Sequence, residues 1–132
     1  MTRPGGTVAA CVWDHEGGTG PLDVFWRAAH ELDPNVMDES KRAGAREGHL
    51  RELFERADLS DVEDDVVEVR VEHPSFEAWW EPYTMGVGPA GAYVAGLDAD
   101  ARARLRERCR ASLPAAPFVQ TARAWAARGA AA

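Results

Sequence analysis

Asp14 and His15 are the residues best placed to do chemistry, because they directly follow a stretch that has the pattern of a strand. The stretch Thr7–Trp13 carries no charge. A short apolar run after a Pro-Gly-Gly turn is typical of a strand buried on both faces, as in the middle of a parallel sheet. Ligands of open α/β sheets bind beyond the carboxyl ends of such strands. His15 is therefore a candidate general base, and Asp14 a candidate to orient it or a substrate. The alternative is a solvated loop that caps the strand, since the sequence offers no partner nucleophile.

A second motif, G-x-G-x-x-G, spans residues 86–91. In dinucleotide-binding proteins this motif needs a strand before it and a helix after it, so that the phosphates meet a helix N-terminus. Here the preceding residues, 76–83, have the pattern of a helix. The sequence therefore favours a flexible joint in a lid over a nucleotide-binding loop.

The third candidate is an aromatic-rich set that is large for so short a chain. Trp79 and Trp80 are adjacent, so on a helix they point about 100° apart and cannot face the same neighbour. The sequence leaves two interpretations open, an ordinary core and the lining of an apolar ligand pocket or subunit interface. The set comprises Phe25, Trp26, Trp79, Trp80, Tyr83, Met85 and Tyr93.

The cysteines and histidines show no metal-binding spacing. Cys11 and Cys109 lie far apart, and neither His49 nor His73 is spaced with them as in a zinc site. We therefore expect no bound metal. Both cysteines are expected to be reduced thiols in the core.

Composition restricts the classes of partner. The chain has 132 residues, 45% of them hydrophobic and 28% charged, with a net charge of -7. The length fits one domain, and the composition is that of an ordinary globular protein. A negative net charge argues against general nucleic-acid binding, which needs a basic surface. There is no apolar run of about eighteen residues and no secretory signal, so we expect no membrane partner and a cytoplasmic location.

These candidates must be positioned by elements that follow the order strand, helices, strand, helices, strand. Ser75 and Asp98 are predicted to be helix N-caps. Residues 63–65 are predicted to form an acidic turn, and the alanine-rich tail after Arg128 is predicted to be a frayed end. The result is a small α/β layer of about three strands. Hydrophobic spacing predicts helices over residues 22–32, 46–57, 76–83 and 98–113, and strands over residues 7–13, 66–72 and 118–127.

Three stretches of the sequence, residues 4–6, 50–63 and 75–93, resemble class I S-adenosylmethionine-dependent methyltransferases. The segment LRELFERADLSDVE, residues 50–63, is similar to the helix that precedes the sixth strand of that family. In the family a Pro-Gly-Gly turn opens the fifth strand, as residues 4–6 do here. The stretch SFEAWWEPYTMGVGPAGAY, residues 75–93, resembles the substrate lid of small-molecule members of the type 11 group. The resemblance covers nearly the whole chain.

The resemblance implies a fold. It is a partial Rossmann-like sheet, an α+β fragment of the α/β class, with an antiparallel outer pair and covering helices. A helical lid over about residues 74–96 belongs to one domain, residues 1–132. In the family the seventh strand lies beside the fifth and pairs antiparallel with the sixth, so the last strand here is expected between the first two. The family helix ends in Gly where this chain has Asp58, at a cost of about 1 kcal/mol in the left-handed conformation.

The resemblance also implies a function, methyl transfer from S-adenosylmethionine to a small molecule, largely by proximity and orientation. The family's cofactor-binding half has no counterpart in these residues. The cofactor-binding residues are therefore unknown, and the chain alone is expected to bind no cofactor and to be inactive. The chain would supply the substrate side through Trp13, Asp14, Trp79, Trp80 and Tyr83, with His15 as the catalytic candidate.

Two alternatives stay open. One is a non-enzymatic module, dimeric or binding a small ligand, that derives from the same fold, and the other is a subunit that completes a separate cofactor-binding half. In the complete fold the first strand pairs with the seventh and the fourth, and the fourth has no counterpart here. The stretch Thr7–Trp13 contains no Lys, Pro or inward charge to discourage pairing. We therefore expect a homodimer through this strand edge.

Overall fold

The computed structural model describes residues 2–36 and 39–132. It is an α+β structure with an open, three-stranded antiparallel sheet in the order β1-β3-β2. The strands are β1 (Thr7–Trp13), β2 (Ser60–His73) and β3 (Phe118–Ala130). The helices are α1 (Asp23–Leu32), α2 (His49–Arg56), α3 (Phe76–Trp80), α4 (Gly88–Ala95) and α5 (Ala99–Ser112), with a 3₁₀ helix (Glu81–Met85) between α3 and α4.

The strand order agrees with the prediction. β3, the last strand of the chain, lies between β1 and β2. Ion pairs connect it to β2, since Arg123 pairs with Glu68 at 3.1 Å and Arg128 pairs with Glu63 at 2.5 Å. The expected antiparallel outer pair is therefore confirmed.

The prediction that β1 is buried on both faces in a parallel sheet is wrong. β1 is an edge strand that pairs antiparallel with β3, from Thr7 opposite Ala130 to Trp13 opposite Ala124. Its side chains alternate between exposed and half-buried. Its exposed positions hold small or uncharged residues, so the sequence shows no polar alternation. Cys11 is one of these, and it is an exposed free thiol rather than a core residue.

β2 begins earlier than predicted, and the expected acidic turn is part of it. Residues 63–65 lie inside the strand, which starts at Ser60. Acidic side chains are accommodated there because arginines form ion pairs with them: Arg51 of α2 pairs with Asp64 at 2.5 Å. Three of its valines, at positions 67, 69 and 71, stay 37–49% exposed.

The tail after Arg128 is ordered as strand, not frayed as predicted. β3 continues to Ala130, and Gly129 is buried opposite Val8. Beyond it, Gly5 N–H donates to Ala131 O at 2.8 Å and Ala131 N–H donates to Gly6 O at 2.9 Å. Glycine fits at position 129 because the chain after α2 passes close to it: a Cβ there would lie 3.2 Å from the Leu59 side chain.

The described residues form two compact units, of which the first contains residues 2–21, 39–69 and 121–132. In it, Leu50 and Phe54 of α2 form a small core with Ala127 of β3. Burying such side chains contributes about 1.5–3 kcal/mol each. After α2, Asp58 adopts the predicted left-handed conformation, with φ 58°. The half-buried residues that pack on this core are Val8, Ala10, Val12, Leu59, Val62 and Trp125.

The second compact unit contains residues 22–36 and 70–120. Its core is aromatic: Phe25 stacks on Tyr83 with centroids 4.6 Å apart. Both predicted caps are confirmed, since Ser75 Oγ accepts from Ala78 N–H at 3.1 Å and Asp98 Oδ1 accepts from Ala101 N–H at 2.7 Å. No helix among residues 2–36 and 39–132 is long and apolar enough to span a membrane.

Candidate functional site

The carboxylate of Asp14 is a buried, fully hydrogen-bonded group at the end of β1. Asp14 is only 5% exposed. Its Oδ1 accepts from Gly17 N–H at 2.9 Å and from Trp125 Nε1–H at 3.2 Å, while its Oδ2 accepts from the Thr19 hydroxyl at 2.5 Å. A buried carboxylate needs such partners, because leaving it unpaired is costly. We call these four residues the Asp14 clasp.

The clasp fixes the loop over residues 14–20 against β3. Asp14 N–H donates to Arg123 O, and Arg123 N–H donates to Thr19 O, both at 2.9 Å. Gly17 is required for close approach, since a Cβ there would lie 2.3 Å from Asp14 Oδ2. The loop after β1 is therefore held at both of its ends.

His15 lies on this anchored loop but lacks a catalytic partner among the described residues. It is half-buried, and its backbone N–H donates to Trp13 O at 2.9 Å. Within residues 2–36 and 39–132 its imidazole makes no hydrogen bond, and both carboxylate oxygens of Asp14 bind other donors. Asp14 thus does not orient His15. The role of His15 as a general base stays a prediction.

Trp13 ends β1 beside this loop and is 37% exposed. Its side chain belongs to the exposed set of β1 positions. The structure thus brings Trp13, Asp14 and His15 together at one strand end, in the first unit. Of the three, Trp13 and His15 remain accessible to a ligand, whereas Asp14 is committed to the clasp.

Trp79, Trp80 and Tyr83 lie in the core of the second unit. They are 3%, 6% and 8% exposed. Trp79 contacts Tyr83 with centroids 5.0 Å apart, and Trp80 stacks on Phe76 at 6.3 Å. Burial raises the pKa of the Tyr83 hydroxyl well above its usual value, so it stays protonated at neutral pH. The assignment of Trp79, Trp80 and Tyr83 to substrate binding stays a prediction.

The G-x-G-x-x-G stretch follows a 3₁₀ helix, not a strand. Gly86 ends that helix in the left-handed conformation, with φ 71°, and Gly88, the first residue of α4, has φ 67°. A Cβ on Gly91 would lie 2.8 Å from the Gly86 carbonyl carbon. Backbone conformation and close packing therefore explain the glycines, and the context of a dinucleotide loop is absent from this described segment.

A groove of about 900 Å³ lies over the first unit. Small side chains of β1 and β3, Ala9, Cys11 and Ala126, line it together with Val67 of β2. Charged residues at its border include Arg128, which pairs with Glu63. Sequence reasoning missed this surface because it placed β1 between two covering layers.

The thiols and the acidic residues show no metal site in the described part of the chain. No group of three His, Cys, Asp or Glu side chains is placed there to hold a metal ion. Cys109 is fully buried in α5, and burial raises the pKa of its thiol to about 12. It therefore stays a protonated thiol at neutral pH.

No profile of a known protein family matches this sequence, and no curated protein is significantly similar to it. The methyltransferase resemblance thus stays an inference from residues 4–6, 50–63 and 75–93.

Asp14→Asn should lower the free energy of unfolding by about 1–3 kcal/mol, because the amide leaves a buried donor of the clasp without its acceptor. His15→Asn is the neighbouring control, and it should change stability by no more than about 0.5 kcal/mol. Urea melts of the two variants measure both effects. Equal stability of Asp14→Asn and the parent chain would contradict the clasp.

Trp79→Ala and Trp80→Ala should each cost about 3–5 kcal/mol of stability, because both indoles are core side chains. Trp13→Ala is the control at a partly exposed tryptophan, and it should cost about 1 kcal/mol or less. Denaturant melts of the three variants measure these losses of stability. Two large losses exclude the pocket interpretation, whereas a small loss at Trp79 or Trp80 would show that this indole is not core.

Proposed function

We propose that this chain supplies the substrate side of an S-adenosylmethionine-dependent small-molecule methyltransferase and is inactive without a cofactor-binding half. One observation carries the proposal, the strand order β1-β3-β2 with β3 antiparallel in the middle. The class I fold that the sequence resembles places its seventh strand between the fifth and the sixth in the same way.

The succession of the other elements supports the same proposal. A turn at Pro4–Gly6 precedes β1, with Gly6 N–H donating to Arg3 O at 2.9 Å. Helix α2 ends at Asp58 and leads into β2. The segment that resembles a substrate lid forms α3, the 3₁₀ helix and α4 between β2 and α5.

The mismatch between the sequence of β1 and its surroundings is a further support. Thr7–Trp13 has the composition of a strand buried on both faces, yet one face and one edge are uncovered among the described residues. A cofactor-binding half would supply a strand beside β1 and a layer on its exposed face. The sequence of β1 suits that complete sheet better than the sheet of this chain alone.

In this proposal the loop after β1 faces the methyl acceptor. Methyl transfer depends mainly on holding the acceptor and the methyl donor in line. The Asp14 clasp would position the loop, Trp13 would contact the acceptor, and His15 would accept a proton from it. The complete enzyme would act in the cytoplasm on a small molecule.

Calorimetric titration with S-adenosylmethionine tests the proposal. Residues 2–132 alone should give no saturable heat. A chimera with the cofactor-binding half of a class I methyltransferase placed before Thr2 should bind the cofactor and bury β1. Saturable binding by the chain alone would contradict the proposal, because it would mean that these residues contain a cofactor site.

A second candidate function is a non-enzymatic module that dimerises through the Thr7–Trp13 edge. The observation that favours it is that β1 pairs only with β3 within the described residues. An edge strand without charge or proline is a template for another strand. The same edge would receive the strand of a separate cofactor-binding half, so the two candidates use one surface.

A further inference from the structure

Hydrogen bonds at the two ends of β1 show which of its residues face the unpaired edge. Gly6 O accepts from Ala131 N–H, and Asp14 N–H donates to Arg123 O, both at 2.9 Å. Alternate residues of an antiparallel strand direct their N–H and C=O groups to the same neighbour. The even-numbered residues therefore bond to β3. The residues that direct these groups to the open edge are Thr7, Ala9, Cys11 and Trp13.

These edge groups are available for a partner strand. All four side chains belong to the exposed positions of the strand. Among the outward carbonyls of these described residues, that of Trp13 already accepts a hydrogen bond, from His15 N–H. Thr7, Ala9 and Cys11 thus keep both their N–H and their C=O groups available at the edge.

Charge distinguishes the two outer strands of the sheet. β1 is uncharged, so two copies of it can lie side by side without repulsion. β2 carries a run of acidic residues, and two copies of its edge would bring like charges opposite each other. The occupant that suits the β1 edge is therefore an uncharged strand, and a second copy of this chain provides one.

We propose that a second copy pairs with β1 in antiparallel register, with the two-fold axis at Ala10. This inference rests on the dimeric candidate function. The register overlaps all of Thr7–Trp13, and a shift in either direction shortens the ladder. It places Ala9 opposite Cys11 of the partner subunit as a hydrogen-bonded pair, and Thr7 opposite Trp13 of the partner subunit at each end of the ladder.

Side-chain size agrees with this register. Ala9, Ala10 and Cys11 are small and meet at the centre, so no bulky pair crowds the axis. Val8 faces Val12 of the partner subunit on the side where α2 packs. The dimer joins the two three-stranded sheets into one continuous sheet, which is nearer the usual size.

A disulfide across the axis reports the register. In the Cys11→Ser background, Ala10→Cys places two thiols in a non-hydrogen-bonded pair with Cα atoms about 4.5 Å apart, within reach of a disulfide. Val8→Cys in the same background is the matched control, on the same side of the same strand. Its two copies would lie four residues apart along the ladder, about 13 Å. Mild oxidation should crosslink Ala10→Cys and not Val8→Cys on a non-reducing gel.

Sedimentation equilibrium at micromolar concentration tests the edge itself. Ala9→Pro removes an outward N–H without touching the bonds to β3, and proline is tolerated at such positions of edge strands. It should raise the dimer dissociation constant at least roughly tenfold, because each copy loses a hydrogen bond. Ala9→Ser keeps the N–H and should dimerise as the parent does. Circular dichroism of each variant checks that the fold is retained.

The outcomes are separable. A parent chain that stays monomeric contradicts the dimeric candidate function and the register together. A dimer that crosslinks through Val8→Cys contradicts the register alone. A dimer that Ala9→Pro leaves intact, with the fold retained, shows that another surface associates and overturns the inference.

Discussion

The one-sided pairing of β1 is the constraint on which the first unit depends. β3 bonds to one edge of β1, and α2 covers one face through Leu50 and Phe54. Both contacts come from chain far from β1 in sequence. The opposite edge and the opposite face carry uncharged side chains without a covering layer in the described residues. That combination connects the fold to each function proposed for it.

The order of elements was predictable from sequence because it depends on local patterns. Ser75 and Asp98 are good N-caps in front of amphipathic stretches, and both cap their helices. The position of β3 between the other strands came from the family resemblance rather than from its own residues. The left-handed conformation of Asp58 was also predicted, since Asp tolerates that conformation better than most residues.

The errors concern neighbours that a local pattern cannot reveal. An apolar run shows that a strand avoids charge, not how many partners it has, so β1 was assigned two covered faces. The acidic residues 63–65 resembled a turn because their cations, Arg51 and Arg128, are distant in sequence. The small residues after Arg128 resembled a frayed end, although a small residue is what fits opposite β1.

In the candidate site, too, the sequence predicted local features and missed contacts between distant residues. Asp14 was identified as important from its place after the strand, and it is important, but as the centre of a clasp. Its bond to Trp125 joins residues 111 positions apart, and no spacing in the sequence announces it. The bond to Gly17, only three residues away, did have a signal in the sequence, a glycine-rich loop after an aspartate.

Amide hydrogen exchange along β1, measured residue by residue over a range of protein concentrations, tests the central claim most directly. In dilute solution the amides of Val8, Ala10 and Val12 should be protected by β3, while those of Thr7, Ala9 and Cys11 exchange rapidly. At micromolar concentration and above, the second set should gain protection as the edge is filled. Protection of both sets at every concentration would contradict the account, because it would mean that another part of the chain already covers this edge.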